Sequence, residues 1–307
     1  MIGLNYAPIN SGLGKYSVDI NKIIPVYSVI ADKTKKNYEY VGNVIKGIYP
    51  PITTGWAINS LLIPIRLHLH SIHKIHYLFP FNSFSFKGIV TIHDLYFKHR
   101  EINNEIFLNY KIGKFKKWKI LTVSKSTKRE LMNYYGYENI EVVPLSVDNI
   151  FKNLNLNKEF DVLTVGDGMH KHNKDIRNMC NKLGLSHIHI GKDVTGFTNV
   201  NNEQLNRYYN KARVVIRFSD IEGFGIPTIE SAFAGTNIIL SDLPVFREIM
   251  PSNYPYFIKD LSEFENIYYK AIEKPFKFSN EWYENYKFST FEKRMKKIYK
   301  EVEENVQ

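Results

Sequence analysis

The segment from Ser219 to Glu230 (SDIEGFGIPTIE) holds the residues whose types and spacing point most directly to chemistry. Glu222 comes just after an apolar run that reads as a strand. Gly223 and Gly225 let the backbone approach a ligand closely. Pro227 opens a helix whose first N–H groups can face a phosphate or an oxyanion, with Glu230 in its first turn. Two carboxylates eight positions apart, one on a loop and one on a helix, can grip separate parts of one ligand. Each accepts two hydroxyl hydrogen bonds, which suits a sugar diol. Taken alone, the same features also describe loop glycines and a glutamate that complements a helix dipole.

The elements that must position these residues alternate along the chain. In the first half the pattern predicts strands at 2–6, 26–31, 74–79, 88–92, 120–123 and 141–143. Helices are expected at 15–24, 56–72 and from Ser124, an N-cap, to Tyr135, with Gly136 as the stop. Residues 151–159 (FKNLNLNKE) are polar and Asn-rich and read as a linker. A second series follows, with strands at 160–165, 187–190, 214–218 and 237–240. Its helices are expected at 204–211 and 227–234, and a charged amphipathic helix at 290–305. Such alternation predicts an α/β chain of two doubly wound, Rossmann-like lobes, over 1–150 and 151–289. Ligands bind at the carboxyl ends of strands in such sheets, here expected where the lobes meet.

Composition narrows the class. The chain has 307 residues, 44% hydrophobic, 14% aromatic and 23% charged, which excludes a disordered chain. Cys180 is the single cysteine, so a disulfide scaffold is excluded and a reducing compartment fits. The longest apolar stretch, 56–69, is broken by Asn59, Pro64, Arg66 and His68, short of the roughly 20 residues a spanning helix needs. No signal peptide is legible at the N-terminus, and the expected location is cytoplasmic. The net charge is +10, and residues 1–150 carry 19 Lys and Arg against 10 Asp and Glu. That imbalance suggests an anionic partner for the first half. The densest run, KIGKFKKWK, places Lys111, Lys114, Lys116, Lys117 and Lys119 around Trp118, as an interfacial membrane helix does. A solvated face is the plainer reading of the run. His68, His70, His73 and His76 straddle a helix-to-strand junction and cannot share one face, so no metal site is expected there.

The run EGFGIPTIESAFAGTNIILSDLPVFREI closely resembles the signature of retaining glycosyltransferase family 4, which has the GT-B fold. The matching features are Glu222, Gly223-Phe224-Gly225, Pro227, Glu230, Gly235, Ser241-Asp242, Pro244 and Arg247-Glu248. Further segments agree in order: SGLGKY (11–16), TIHDLYF (91–97), TVSKSTKREL (122–131), VVPLSVD (142–148), 197–219 and 288–302. The last of these resembles a terminal helix that returns to the first lobe.

The resemblance implies hexose transfer from a nucleotide sugar (a UDP-, GDP- or ADP-hexose) with retention at the anomeric carbon and no metal. It implies that Glu230 holds the ribose and that Glu222 contacts the donor sugar beside the backbone of Phe224, Gly225 and Ile226. His93 would reach the transferring sugar, Gly12 and Gly14 would admit the phosphates, and Val200 would lie near the base. The absence of any Asp-x-Asp pair agrees with metal independence. One departure stands out. The family usually has Arg after the strand-ending glycine and Lys a few residues on, whereas here Asp167 follows Gly166 and His172 takes the lysine position. Lys171 is the expected substitute, with Lys174 or Arg177 in support. Cys180 offers no reactive partner. An epimerase or phosphorylase on the same fold, and a degenerate binding scaffold, are the alternatives; nucleic-acid binding rests only on the basic first half. The acceptor is expected to be anionic or lipid-linked.

Overall fold

Helix α2 (Lys125–Tyr135) illustrates how local chemistry sets the elements. The Ser124 hydroxyl accepts the Thr127 N–H at 3.1 Å, and Gly136, at φ 63°, gives its N–H to Met132 O. Both ends are therefore satisfied by the residue types the sequence supplies. The computed structural model describes residues 2–4, 12–24, 27–30, 43–46, 75–78, 88–95, 118–192 and 197–304. The expected helix over 56–72, three of the four clustered histidines (His68, His70, His73) and Lys111, Lys114, Lys116 and Lys117 lie outside them.

The chain divides into two units. The first comprises Met1–Pro144 and Phe291–Gln307. Its sheet runs β1 (Ile2–Leu4), β4 (Ile75–Tyr77), β5 (Gly88–Ile92), β6 (Lys119–Thr122) and β7 (Ile140–Val142), all neighbours parallel. Strands β2 (Tyr27–Ile30) and β3 (Asn43–Lys46) form a separate parallel pair. Helix α1 starts at Gly12 and runs to Ile23, so Gly12 and Gly14 form its first turn rather than a preceding loop. The N–H groups of a first turn have no intrahelical acceptor to lose, and glycine is tolerated there at little cost.

Trp118 does not face a membrane surface. It is 8% exposed and lies against Tyr77, with ring centroids 5.1 Å apart. Next to it, Lys119 Nζ is held by Glu141 at 2.5 Å. Trp118 is thus a core residue just before β6, while the four lysines before it lie outside the described residues.

The second unit comprises Leu145–Thr290. Its all-parallel sheet has the order β12 (Phe257–Ile258), β11 (Asn237–Ser241), β10 (Ala212–Arg217), β8 (Phe160–Val165) and β9 (His187–Ile190). From β8 the chain goes outward to β9, then returns to β10 on the other side. The strand order reverses between β8 and β10, and a doubly wound sheet opens its ligand crevice at the carboxyl ends of such a pair. Helices α3 (Asn173–Lys182), α4 (Asn202–Lys211), α5 (Ile226–Phe233), α6 (Pro244–Ile249), α7 (Phe264–Glu273) and α8 (Asn280–Glu284) accompany the sheet.

Residues 151–159 are strapped to this unit. Phe151 is 1% exposed and meets Tyr209 edge-on. The Lys152 and Leu154 N–H groups donate to the Asn206 and Asn210 side chains of α4. The asparagines of α4 thus satisfy backbone that a loose linker would leave to water. Residues 145–150 also belong here, with Val147 N–H donating to Tyr286 O at 2.8 Å.

The last helix, α9 (Phe288–Glu304), buries Phe291, Met295, Ile298 and Tyr299. This i, i+4, i+7, i+8 stripe is the apolar face of an amphipathic helix. From Phe291 onward it counts with the first unit, where Phe291 packs on Tyr16. Among the described residues, no helix is long and apolar enough to cross a membrane.

Candidate functional site

The segments that follow β8 and β10 leave the carboxyl ends of neighbouring parallel strands in the second unit. Glu222 lies five residues beyond the end of β10, with its side chain 13% exposed. One of its oxygens, Oε1, accepts from Arg217 Nη2 and from the Ser219 hydroxyl at 3.1 Å. Ser219 is itself fixed, exchanging two hydrogen bonds with the Ser241 hydroxyl at the end of β11. Burial works against the Glu222 charge, but Arg217, Lys171 and His170, in that order, together with Ser219, hold its carboxyl below the usual range. Glu222 is an anion at neutral pH.

The bend between the two acids depends on Gly225. At φ 85° it stands where L side chains are rarely found, and a β-carbon there would lie 2.7 Å from the Phe246 ring. Phe224 turns its side chain into the core, 4% exposed and facing Tyr286, so only its backbone remains for a ligand. Ile226 and Pro227 begin α5. Glu230, the fifth residue of α5, is 6% exposed and accepts from the Tyr209 hydroxyl of α4 at 3.0 Å. Burial first, and then the Glu230 charge, push the Tyr209 phenol well above its ordinary range, so Tyr209 stays a donor. Thr228 Oγ1 is buried and has no hydrogen-bond partner among the described residues. Val200 is half-buried just before Asn201, the N-cap of α4, which forms a capping box with Gln204.

The departure seen in the sequence falls in the loop after β8. Asp167 is turned away, bonded to the Lys192 N–H beyond β9. His172 lies in the left-handed region at φ 49° and gives one ring nitrogen to Asp220 (2.7 Å) and the other to Asp175 (3.0 Å). Two carboxylates as acceptors require both ring nitrogens protonated, and the imidazole pKa is raised: burial opposes this, but the bonds to Asp220 and Asp175 outweigh it. Lys171 fills the place by Gly166, where a β-carbon would lie 2.8 Å from its Nζ and 3.9 Å from Arg217 Nη1. Asn173 closes the loop by donating to Gly166 O. Lys174 is exposed and Arg177 half-buried on α3. The cations that hold the Glu222 carboxyl down are Arg217, Lys171 and His170, not these two.

Arg217 is the residue that sequence reasoning missed. It ends β10, is 4% exposed, and reaches Val165 O as well as Glu222. An arginine directly after the apolar run Val214-Val215-Ile216 and before Phe218 is the signal that could have found it, since unpaired charges are almost never buried.

In the first unit, His93 follows β5 and is 9% exposed. Its Nε2 donates to Leu78 O at 3.1 Å, which leaves Nδ1 as an acceptor. Burial pushes its pKa down to about 4, so the ring is neutral. Tyr16 of α1 packs edge-on against it at 4.8 Å. The Tyr16 hydroxyl pairs with Thr91 Oγ1, which also meets His76 Nε2 at 2.7 Å, and His76 Nδ1 meets the Tyr299 hydroxyl. His76 is therefore a core residue. Cys180 is buried and its thiol is pushed up to about 12 by that burial, consistent with an inert side chain. Among the described residues no group of three His, Cys, Asp or Glu could hold a metal ion.

A model of the family "Glycosyl transferases group 1" matches residues 132–287, half of the chain. The serotype-specific mannosyltransferase WbdA of Escherichia coli is 33% identical over 100 residues, 33% of this chain and 12% of that protein. The O-antigen chain mannosyltransferase RfbU of Salmonella typhimurium is 36% identical over 73 residues, 24% of this chain and 21% of that protein. The matched stretch thus spans about an eighth to a fifth of these curated relatives. A solved sucrose-phosphate synthase from Thermosynechococcus elongatus superposes with TM-score 0.78 at 13% identity, covering 98% of both chains. Anabaena Alr3699/HepE, solved in complex with UDP and glucose, gives 0.75 at 12%, covering 98% of this chain and 99% of its own. These likenesses identify the fold as GT-B.

Proposed function

Because the chain belongs to the glycosyl transferases group 1 family, we propose that it is a retaining, metal-independent glycosyltransferase that moves a hexose from a nucleotide sugar to an anionic or lipid-linked acceptor. The observation that carries this reading is the acid pair at the switch point of the second sheet. Glu222 is a half-buried anion on the loop after β10, Glu230 a buried acceptor on α5, and the glycine bend lies between them.

The second unit binds the donor. Glu230, oriented by Tyr209, takes the ribose hydroxyls, and Val200 lies by the base. The backbone of Phe224, Gly225 and Ile226 lies beside the sugar that Glu222 contacts. A departing nucleoside diphosphate gains negative charge in the transition state, and fixed donors placed in advance stabilise it. Lys171 and the N-terminus of α5 supply such charge here, so no resident metal is invoked. The first unit binds the acceptor, and the α1 first turn with Gly12 and Gly14 admits the phosphates. His93 acts on the transferring sugar through Nδ1, its acceptor nitrogen, since Nε2–H is spent on Leu78 O. The charge excess of residues 1–150 supports an anionic acceptor.

Mannose is the first donor sugar to try, because the curated relatives are named as mannosyltransferases. The test is nucleotide release and product analysis with GDP-mannose, UDP-glucose and ADP-glucose, with chelator present, against neutral and anionic acceptors. Transfer with retained anomeric configuration, lost in Glu222→Ala and Glu230→Gln while circular dichroism shows both variants folded, is the expected result. Undiminished transfer in both variants removes the reading. Phosphate-dependent or acceptor-free turnover would instead point to a phosphorylase or epimerase.

A further inference from the structure

Arg217 holds more hydrogen-bonding capacity than the chain uses. A guanidinium has five N–H donors. Among the described residues two are engaged, by Val165 O and Glu222 Oε1, and the buried Nε has no partner. At 4% exposure water does not readily supply the missing acceptors. A buried cation with idle donors carries a desolvation cost that folding alone does not recover.

The surroundings point to what completes it. Arg217 Nη1 and Lys171 Nζ converge on the space over Gly166, 3.9 Å and 2.8 Å from where a β-carbon would be. Glycine keeps that space open. Glu222 is the carboxylate that both cations act on. The other acids nearby are committed elsewhere, Asp220 to His172 and Asp167 to the Lys192 N–H. Gly166, Arg217 and Glu222 also lie at or just past the carboxyl ends of β8 and β10, where the strand order reverses.

We infer that Arg217 is a donor-binding residue with two contacts: it fixes Glu222 through Nη2, and with Lys171 it receives the diphosphate of the nucleotide sugar over Gly166. The second cation of the diphosphate site thus comes from β10, on the opposite side of the switch point from Asp167. This inference rests on the nucleotide-sugar reading above. The guanidinium suits the task because its planar fork serves a carboxylate and a phosphate at once, which an ammonium cannot do.

The test is calorimetric titration of the full chain with the nucleoside, its monophosphate and its diphosphate, in the uridine, guanosine and adenosine series. In Arg217→Met and Lys171→Met the affinity for the diphosphate is expected to fall tenfold or more. The nucleoside should change less than twofold, which a merely structural loss would not produce. Arg217→Lys should recover part of the diphosphate affinity. Glu222→Gln guards against a misfolded Arg217 variant. Removing that carboxylate frees the guanidinium, and diphosphate affinity should rise severalfold. An unchanged ratio of diphosphate to nucleoside affinity in both methionine variants, or no gain in Glu222→Gln, overturns the inference and leaves the glycosyltransferase reading standing. Silence of the parent chain toward all three diphosphates overturns both.

Discussion

Single residues decide whether the bend between the acids exists. Any side chain at position 225 must adopt φ 85° and meet the Phe246 ring at 2.7 Å. Gly225→Ala is expected to destabilise the chain by about 2–4 kcal/mol, from left-handed strain plus overpacking. Urea titration of the variant checks this, and a loss under about 0.5 kcal/mol would mean the bend tolerates a side chain. This much was legible in the sequence, because a glycine before a proline-led helix has few other uses. Arg217 was not legible in the same way. Strand periodicity treats it as one polar residue in an apolar run, and only the sheet order reveals that its neighbours are the end of β8 and Glu222. Asp167 was legible as a departure, but its partner, the Lys192 N–H, is set by β9 lying beside β8.

Elements with strong local signals were read well, and those held by tertiary contacts were not. Helix α2 carries its own caps and strand β5 its own apolar run, so both follow from their residues. Helix α7 buries Phe264, Tyr268 and Ala271 at helical spacing, and its start lies in the turn before it, where Asp260 accepts the Ser262 N–H; sequence reasoning missed that Asp-x-x-Glu signal at 260–263. The segment 151–159 is the clearest difference. Its polarity reads as a linker, yet it is held by Phe151 and by asparagines more than 50 positions away. Phe151→Ala is expected to cost about 3–5 kcal/mol, as for other buried phenylalanines. The measurement is chemical denaturation. A change below about 1 kcal/mol would show that the strap contributes little to the second unit.

At the scale of the whole molecule, buried histidines make the fold sensitive to acid. Burial pushes His76 down to about 3 and His93 and His187 to about 4, so all three are neutral when folded. An unfolded histidine takes up its proton near pH 6.5, and the folded chain does not. Their effect on stability is therefore nil above about pH 6.5 and grows as pH falls toward 4, reaching about 3 kcal/mol for each of His76 and His93. Glu222 and Asp161, held below the usual carboxylate range, begin to lose their contribution only below about pH 4.5. His172 runs the other way: its small contribution is present below pH 6.5 and fades as pH rises through its elevated value. Melting temperatures should thus fall between pH 6.5 and 5, above the range in which Glu222 and Asp161 take up protons. His76→Gln should flatten that limb, and an equally steep fall in the variant would refute the assignment.

Residues 291–304 complete the apolar face over Tyr16 and supply the hydroxyl that His76 meets. On the ribosome this piece emerges only after everything from 145 to 290 has been made, so the domain begun first is finished last. A nascent chain halted at 290 would hold a second unit free to fold beside a first unit whose buried imidazole still lacks its tyrosine, a natural client for a holding chaperone.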